Sequence, residues 1–216
     1  MATQKTPKLD KRLVTETALR LLNEVGLDGL TLRAIAKELN VQAPALYWHF
    51  KNKQALLDEM ATEMYRRMVA GAELSPDATW QERLLAANRG LRAALLDYRD
   101  GAKVFSGSRF TGTDHAVHLE ANLGALVEAG FELPQAVRAA FTAHLFTLGF
   151  VTEEQGMQPL PGERGEGPGI EERAARMADF PLAGAAGAQL FDRYDEGFEE
   201  GLRLVIAGIE ARYAIR

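Results

Sequence analysis

The sequence predicts an all-α protein of two domains, a small helical one over 1–72 and a larger helical one over 73–216. Three observations carry that reading. Apolar residues recur at spacings of three and four along nearly the whole chain, while the alternating runs of a half-buried strand are hard to find. Capping side chains and glycines divide this pattern into helix-sized lengths. The polar stretch Glu73 to Asp77, with Ser75-Pro76 inside it, gives the first credible boundary. The 216 residues are 47% hydrophobic and 25% charged, an ordinary globular balance that excludes a disordered chain. With no cysteine, a disulfide scaffold, a thiolate nucleophile and a Cys-ligated zinc are excluded as well. No window approaches ~18 uninterrupted apolar residues, so a membrane span is not expected. The polar start, Met1 to Leu9, does not read as a leader, and the cytoplasm is the expected compartment.

Taken in order, Asp10 caps a first helix with Leu13, Val14, Ala18, Leu21, Leu22 and Val25 as its apolar positions, ended by Gly26. Thr31 caps a second, Leu32 to Leu39, with Ile35, Ala36 and Leu39 on one face. Asn40, Val41 and Gln42 form a tight turn, and Pro44 opens a third helix through about Phe50, since proline fits the first helical turn. Asn52 caps a fourth, with Leu56, Leu57, Met60 and Met64. The pattern resumes from Trp80 through Leu84, Leu85, Leu91, Leu95 and Leu96 to a stop near Asp100-Gly101. A helix over 116–129 ends at Gly130, and Pro134 begins a long one to Gln155. The Gly/Pro-rich stretch 156–169 reads as a loop; its Gly162, Gly165 and Gly167 lack the preceding strand that a phosphate-binding turn needs. A last helix, about Gly187 to Tyr213, carries Phe191, Tyr194, Phe198, Leu202, Val205 and Ile209 on one stripe. That stripe is long for one small domain to bury, which points to helices packing between two copies.

The net charge of −5 argues against a polyanionic partner until it is divided along the chain. Residues 1–53 carry nine Lys/Arg against five Asp/Glu, a balance of +4, and the remaining 163 residues carry −9. A basic head on an acidic body is the footprint of nucleic-acid binding at one end. Two short helices about a tight turn within that head have the layout of a helix-turn-helix, whose second helix enters the major groove. Tyr47 and His49 are placed to hydrogen-bond phosphates and Trp48 to pack on sugars. The competing reading makes Leu46, Trp48 and Phe50 a three-helix core with Tyr47 and His49 merely exposed.

The run from Leu30 to Lys53 follows the pattern L-T-x-R-x-I-A-x-x-L-x-V-x-x-x-x-L-Y-x-H-F-x-x-K, which resembles the DNA-binding domain of TetR-family repressors. Leu46 to Asp58 resembles the tetracycline-repressor branch in particular, and the likeness continues through Tyr98 to Val104 and Phe146 to Gly149. The resemblance implies an N-terminal helix-turn-helix DNA-binding domain and a C-terminal ligand-binding and dimerisation domain. It implies a homodimer that binds a palindromic double-stranded operator and is released by a small-molecule inducer. It puts Arg33, Ala43, Pro44, Ala45, Tyr47, Trp48, His49 and Lys53 at DNA-contacting positions. Ala43 and Ala45 stand where that branch has side chains able to hydrogen-bond bases, so a different operator is expected.

The same resemblance puts Val69, Ala87, Leu91, Phe105, Ser108, Asn122, His144 and Glu153 at or beside ligand-contacting positions. That branch takes its drug as a magnesium chelate. Here Phe105 stands in place of the metal-ligand His, and Val69, Ala87 and Leu91 stand where the branch has His, Asn and Phe. A phenyl ring has no lone pair for magnesium, and one carboxylate is a poor site. The expected inducer is therefore apolar or aromatic, with no metal and no cofactor. His115 and His118, three apart, read as an exposed pair rather than metal ligands, and Ser106, Ser108, Asp114 and His115 lack the context of a catalytic triad. An enzyme is not expected. The alternative function is an architectural DNA-binding protein that answers to no ligand.

Overall fold

The computed structural model describes residues 9–70, 77–157 and 169–213, and among them the chain is helix and turn with no strand. The boundary stretch before Asp77 and the glycines at 162, 165 and 167 lie outside the described residues. Two compact units result, the first from the described residues of Met1–Gly71 with Ala94–Ala116, the second from those of Ala72–Ala93 and Val117–Arg216. The first unit thus takes in a segment that a division at residue 72 assigns to the C-terminal domain.

In the first unit, α1 (Lys11–Gly29) opens where the Asp10 carboxylate accepts the Leu13 N–H at 2.8 Å. The helix is interrupted at Gly26, whose φ of 68° is the left-handed conformation that glycine adopts without penalty. The last turn to Gly29 therefore extends past the expected end. Thr31 caps α2 (Leu32–Glu38) by accepting from Ala34 N, and Asn40, at φ 53°, turns the chain toward α3 (Ala43–Tyr47). Asn52 caps α4 (Lys53–Ala70) by accepting from Ala55 N. Val14, Ala18, Leu22, Ile35, Leu46, Phe50, Leu56 and Met60 are buried, so these helices share one core. Fully burying an aliphatic or aromatic side chain stabilises by about 1.5–3 kcal/mol, which makes this core the head's principal support.

The turn 97–100 and α6 (Gly101–Phe105) belong to this unit. The Asp100 carboxylate accepts the Leu27 N–H at 2.9 Å and the Lys103 ammonium at 2.7 Å. Asn23 donates to the Asp97 carbonyl and accepts from Arg99 N–H. The end of α1 is therefore clasped by polar groups, and a Cβ at Gly26 would come within 3.0 Å of the Arg99 Nε. α6 packs on α4. Gly101 has no room for a side chain, because a Cβ there would lie 2.2 Å from the Leu95 carbonyl oxygen.

The second unit is built on α8 (Leu133–Gly156), which packs along α12 (Tyr194–Tyr213). Trp80 and Leu84 of α5 (Trp80–Leu96) and Leu126 of α7 (Asp114–Glu128) join Ala136, Ala139, Ala143, Phe198, Leu202 and Ile209 in its core. The expected single helix from 187 to 213 is two, α11 (Gly187–Phe191) and α12, parted at Asp192 and Arg193. Before them come α9 (Ile170–Arg176) and α10 (Pro181–Ala185). These helices and α6, five to seven residues each, are shorter than the 11–18 residue window in which periodicity becomes visible.

Candidate DNA-reading face and effector unit

The helix-turn-helix separates its side chains into a buried set and a presented set. Leu46 and Phe50 are buried, whereas Trp48 is 90% and Tyr47 55% exposed. The reading that made Trp48 core is thereby overturned: the short α3 ends at Tyr47 and leaves the indole outside. Trp48 and its neighbour Tyr47 together present two exposed aromatic rings, and contiguous exposed apolar patches mark contact surfaces. Ala43 and Ala45 are half-buried and Pro44 is exposed, so the first turn of α3 presents methyl and ring carbons.

The cations of the head also divide. Arg20 pairs with Glu24 and Glu38, and Arg12 with Glu16 at 3.7 Å. Arg33, Lys37 and Lys51 are exposed and have no acceptor among the described residues. Lys53 behaves differently: its ammonium donates to the Leu27 carbonyl at 2.7 Å, which closes the turn after the Gly26 break. His49 is half-buried, and its backbone N–H bonds the Leu46 carbonyl.

Within the first unit, Phe105 is buried with its ring edge-on to Phe110 at 5.6 Å, and Phe110 also meets Tyr65 and His115. The Ser108 hydroxyl is engaged, donating to the Val104 carbonyl at 2.6 Å. Val69 is half-buried on α4. Of the positions in the second unit, Leu91 is buried and Ala87 and Asn122 are half-buried. His144 stacks on Phe141, and burial holds its imidazole below the usual histidine range. Glu153 is exposed. Two clefts of this unit, about 350 Å³ beside Trp80 and Ala129 and about 310 Å³ beside Thr142 and Leu204, include none of these residues.

The residues missed by the sequence reading are the polar groups inside the second unit. Arg92, on α5, forms a two-pronged ion pair with Glu154 of α8, Nε to Oε2 at 3.0 Å and Nη2 to Oε1 at 2.7 Å. A third contact reaches Asp195 of α12 at 2.7 Å. The guanidinium lies 5.0 Å from the centre of the Phe198 ring. The Tyr194 hydroxyl is buried without a hydrogen-bond partner among the described residues, and burial, then the charges of Glu154 and Glu153, push its phenol up. Lower on the same helices, Thr147 donates to the Asn88 side-chain oxygen at 2.8 Å while Asn88 donates to the Leu84 carbonyl. The signal was present in the periodicity. Ala143, Thr147, Val151 and Glu154 follow one another at spacings of four, four and three, which puts the threonine and the glutamate on the buried face of α8.

Family profiles match both parts of the chain. One, described as bacterial regulatory proteins of the tetR family, covers residues 14–60. The other, described as a tetracyclin repressor-like C-terminal domain, covers 73–213. The chain belongs to the TetR family of transcriptional regulators. Among TetR-family relatives, the class A tetracycline repressor from transposon 1721 of Escherichia coli is 42% identical over 95% of this chain and 92% of its own. A possible TetR-family regulator from Streptomyces coelicolor A3(2) superposes with a TM-score of 0.81 at 38% identity, over 94% of this chain and 99% of that one. BioQ, solved with its double-stranded DNA operator, superposes with a TM-score of 0.64 at 30% identity, over 94% and 99%.

Proposed function

We propose that this TetR-family regulator is a homodimeric repressor acting in the cytoplasm, which holds a palindromic operator through α3 of each copy and releases it when an apolar or aromatic small molecule binds. The observation that carries the DNA half is the set of side chains the head presents: Tyr47 and Trp48 exposed, and Arg33, Lys37 and Lys51 exposed without partners among the described residues. Phosphates would supply those cations with counter-charges, and the affinity would fall steeply with salt. Ala43, Pro44 and Ala45 would meet base edges, and His49 would reach the backbone. Lys53 would contribute by fixing the turn at Leu27 as well as by charge.

Dimerisation is supported by Leu133, Val137, Phe141 and Leu145, exposed at spacings of four along α8, with Leu204 exposed on α12. The α12 stripe that first suggested a dimer supports it less, because Phe198, Leu202 and Ile209 are already buried within the chain. A dimer holding two heads at one spacing would bind an inverted repeat with half-sites about one helical turn, roughly 34–36 Å, or a small multiple apart. A ligand that favours a different spacing opposes the operator, and the two affinities change reciprocally. No chemistry is required of such a protein, only binding.

For the inducer, a magnesium-chelated drug does not fit the donor set. Phe105 offers a ring packed against Phe110 where a ligating imidazole is required, and Glu153 is a single exposed carboxylate. With Val69 and Ala87 also lacking hydrogen bonds to give, a polar drug would bury groups without partners at about 1–3 kcal/mol each. An apolar ligand against Leu91, touched by Asn122, His144 or Glu153 only at its polar edge, avoids that cost. Calorimetric titration with tetracycline, with magnesium and then with EDTA, is the test. No EDTA-sensitive binding is expected, and tight EDTA-sensitive binding would overturn the inducer class while leaving the DNA reading intact.

A further inference from the structure

We infer that Gln42 reads an A·T base pair in each half-site, hydrogen-bonding the adenine, while Ala43 and Ala45 pack on neighbouring thymine methyls. The inference deepens the DNA-binding reading above and rests on it.

The base-reading residues of a helix-turn-helix lie at the N-terminal end of its second helix. From Val41 to Leu46 the chain reads V-Q-A-P-A-L, and Gln42 carries its one hydrogen-bonding side chain. A residue at the start of a helix commonly turns its side chain back to cap an N–H of the first turn. Gln42 occupies that position without doing so: its backbone carbonyl accepts from Ala45 N–H at 2.9 Å, and its side chain makes no capping bond. Pro44 removes one of the N–H groups a cap would serve. The side chain is exposed and its amide has no partner among the described residues.

An amide that is one donor and one acceptor wide matches adenine in the major groove, where N6 donates and N7 accepts. Guanine presents two acceptors at that edge and would leave the glutamine oxygen opposed. The alanines on either side of Pro44 have only methyl groups to offer, and the thymine C5 methyl is the one apolar mark in the groove. A·T pairs opposite the first turn of α3 therefore satisfy every side chain that this turn presents. A glutamine bonded instead to a phosphate would carry no sequence information.

The experiment selects binding sequences from randomised duplexes with the full-length protein, then measures each base change in the recovered half-site by titration. Gln42→Ala is expected to lose roughly tenfold or more on the selected sequence and to accept all four base pairs at one A·T position, with other positions keeping their preference. Its thermal midpoint should match the parent, because the exposed side chain makes no capping hydrogen bond to lose. Thymine-to-uracil replacement, which removes only the methyl, should weaken the parent a few-fold at one or two positions. Ala45→Ser should be indifferent to the replacement at one of them. An unaltered preference in Gln42→Ala, or an equal loss on every sequence, would overturn the inference with DNA binding intact. Failure to select any sequence would overturn the DNA reading itself.

Discussion

The two units treat their polar side chains in opposite ways. Around α2 and α3, Arg33, Lys37, Gln42 and Lys51 are exposed without partners among the described residues, and the largest aromatic, Trp48, is almost fully in water. In the second unit the central polar groups bond one another: Arg92 with Glu154 and Asp195, Asn88 with Thr147. An exposed unpartnered group costs nothing until a surface covers it, and the proposed DNA-reading face is in that condition. A buried one costs heavily unless paired, and inside the second unit Arg92 with Glu154 and Asn88 with Thr147 meet that cost by bonding each other.

The largest expected effect breaks the closed side. Arg92→Ala leaves Glu154, whose side chain is 6% exposed, as an uncompensated buried charge and should destabilise by about 3–5 kcal/mol in chemical denaturation. Removing both charges together, as Arg92→Met with Glu154→Gln, should recover much of that loss. Equal midpoints for Arg92→Ala and the parent would mean that the pair does not form in solution.

Next comes a contrast within the head. Leu46→Ala opens a cavity at a fully buried position and should cost about 2–5 kcal/mol. Trp48→Ala, two residues on, should change stability by no more than about 0.5 kcal/mol while weakening DNA binding. If Trp48→Ala unfolds the head and Leu46→Ala does not, the assignment of presented and buried faces is reversed.

Thr147→Val removes the donor to Asn88 without changing shape much. The orphaned side-chain oxygen should cost about 1–3 kcal/mol, read as a lower thermal midpoint.

The smallest effect sharpens the clasp at the end of α1. Burial alone would raise the Asp100 carboxyl, but Lys103, the Leu27 N–H and Arg99 outweigh it and hold it below the usual range. A depressed folded value means the stabilisation is complete above the unfolded carboxylate range and disappears as pH falls through the folded one. Thermal midpoints of the parent and Asp100→Asn should therefore differ by a constant amount near neutrality and converge only in acid. Asparagine tolerates the left-handed φ of 55° at this position, so the comparison isolates the charge. Convergence already at neutral pH would remove the carboxylate from the clasp.

The Asp10 and Thr31 caps, the left-handed stop at Gly26, the stripe of α1 and the helix-turn-helix were determined by residues within a few positions of one another. Such signals depend on backbone sterics and on the helical repeat, both of which act locally, so one sequence suffices to read them. The family resemblance, too, ran along a continuous stretch, Leu30 to Lys53. Tertiary structure alone decided that residues 94–116 join the head's unit, that Phe105 meets Phe110, and that Arg92 finds Glu154 sixty-two residues away. Helical spacing says which face of α8 turns inward, but not which side chain of another helix will stand opposite it. That pairing is set when distant helices pack, because only there does a buried charge gain the partner that makes its burial tolerable.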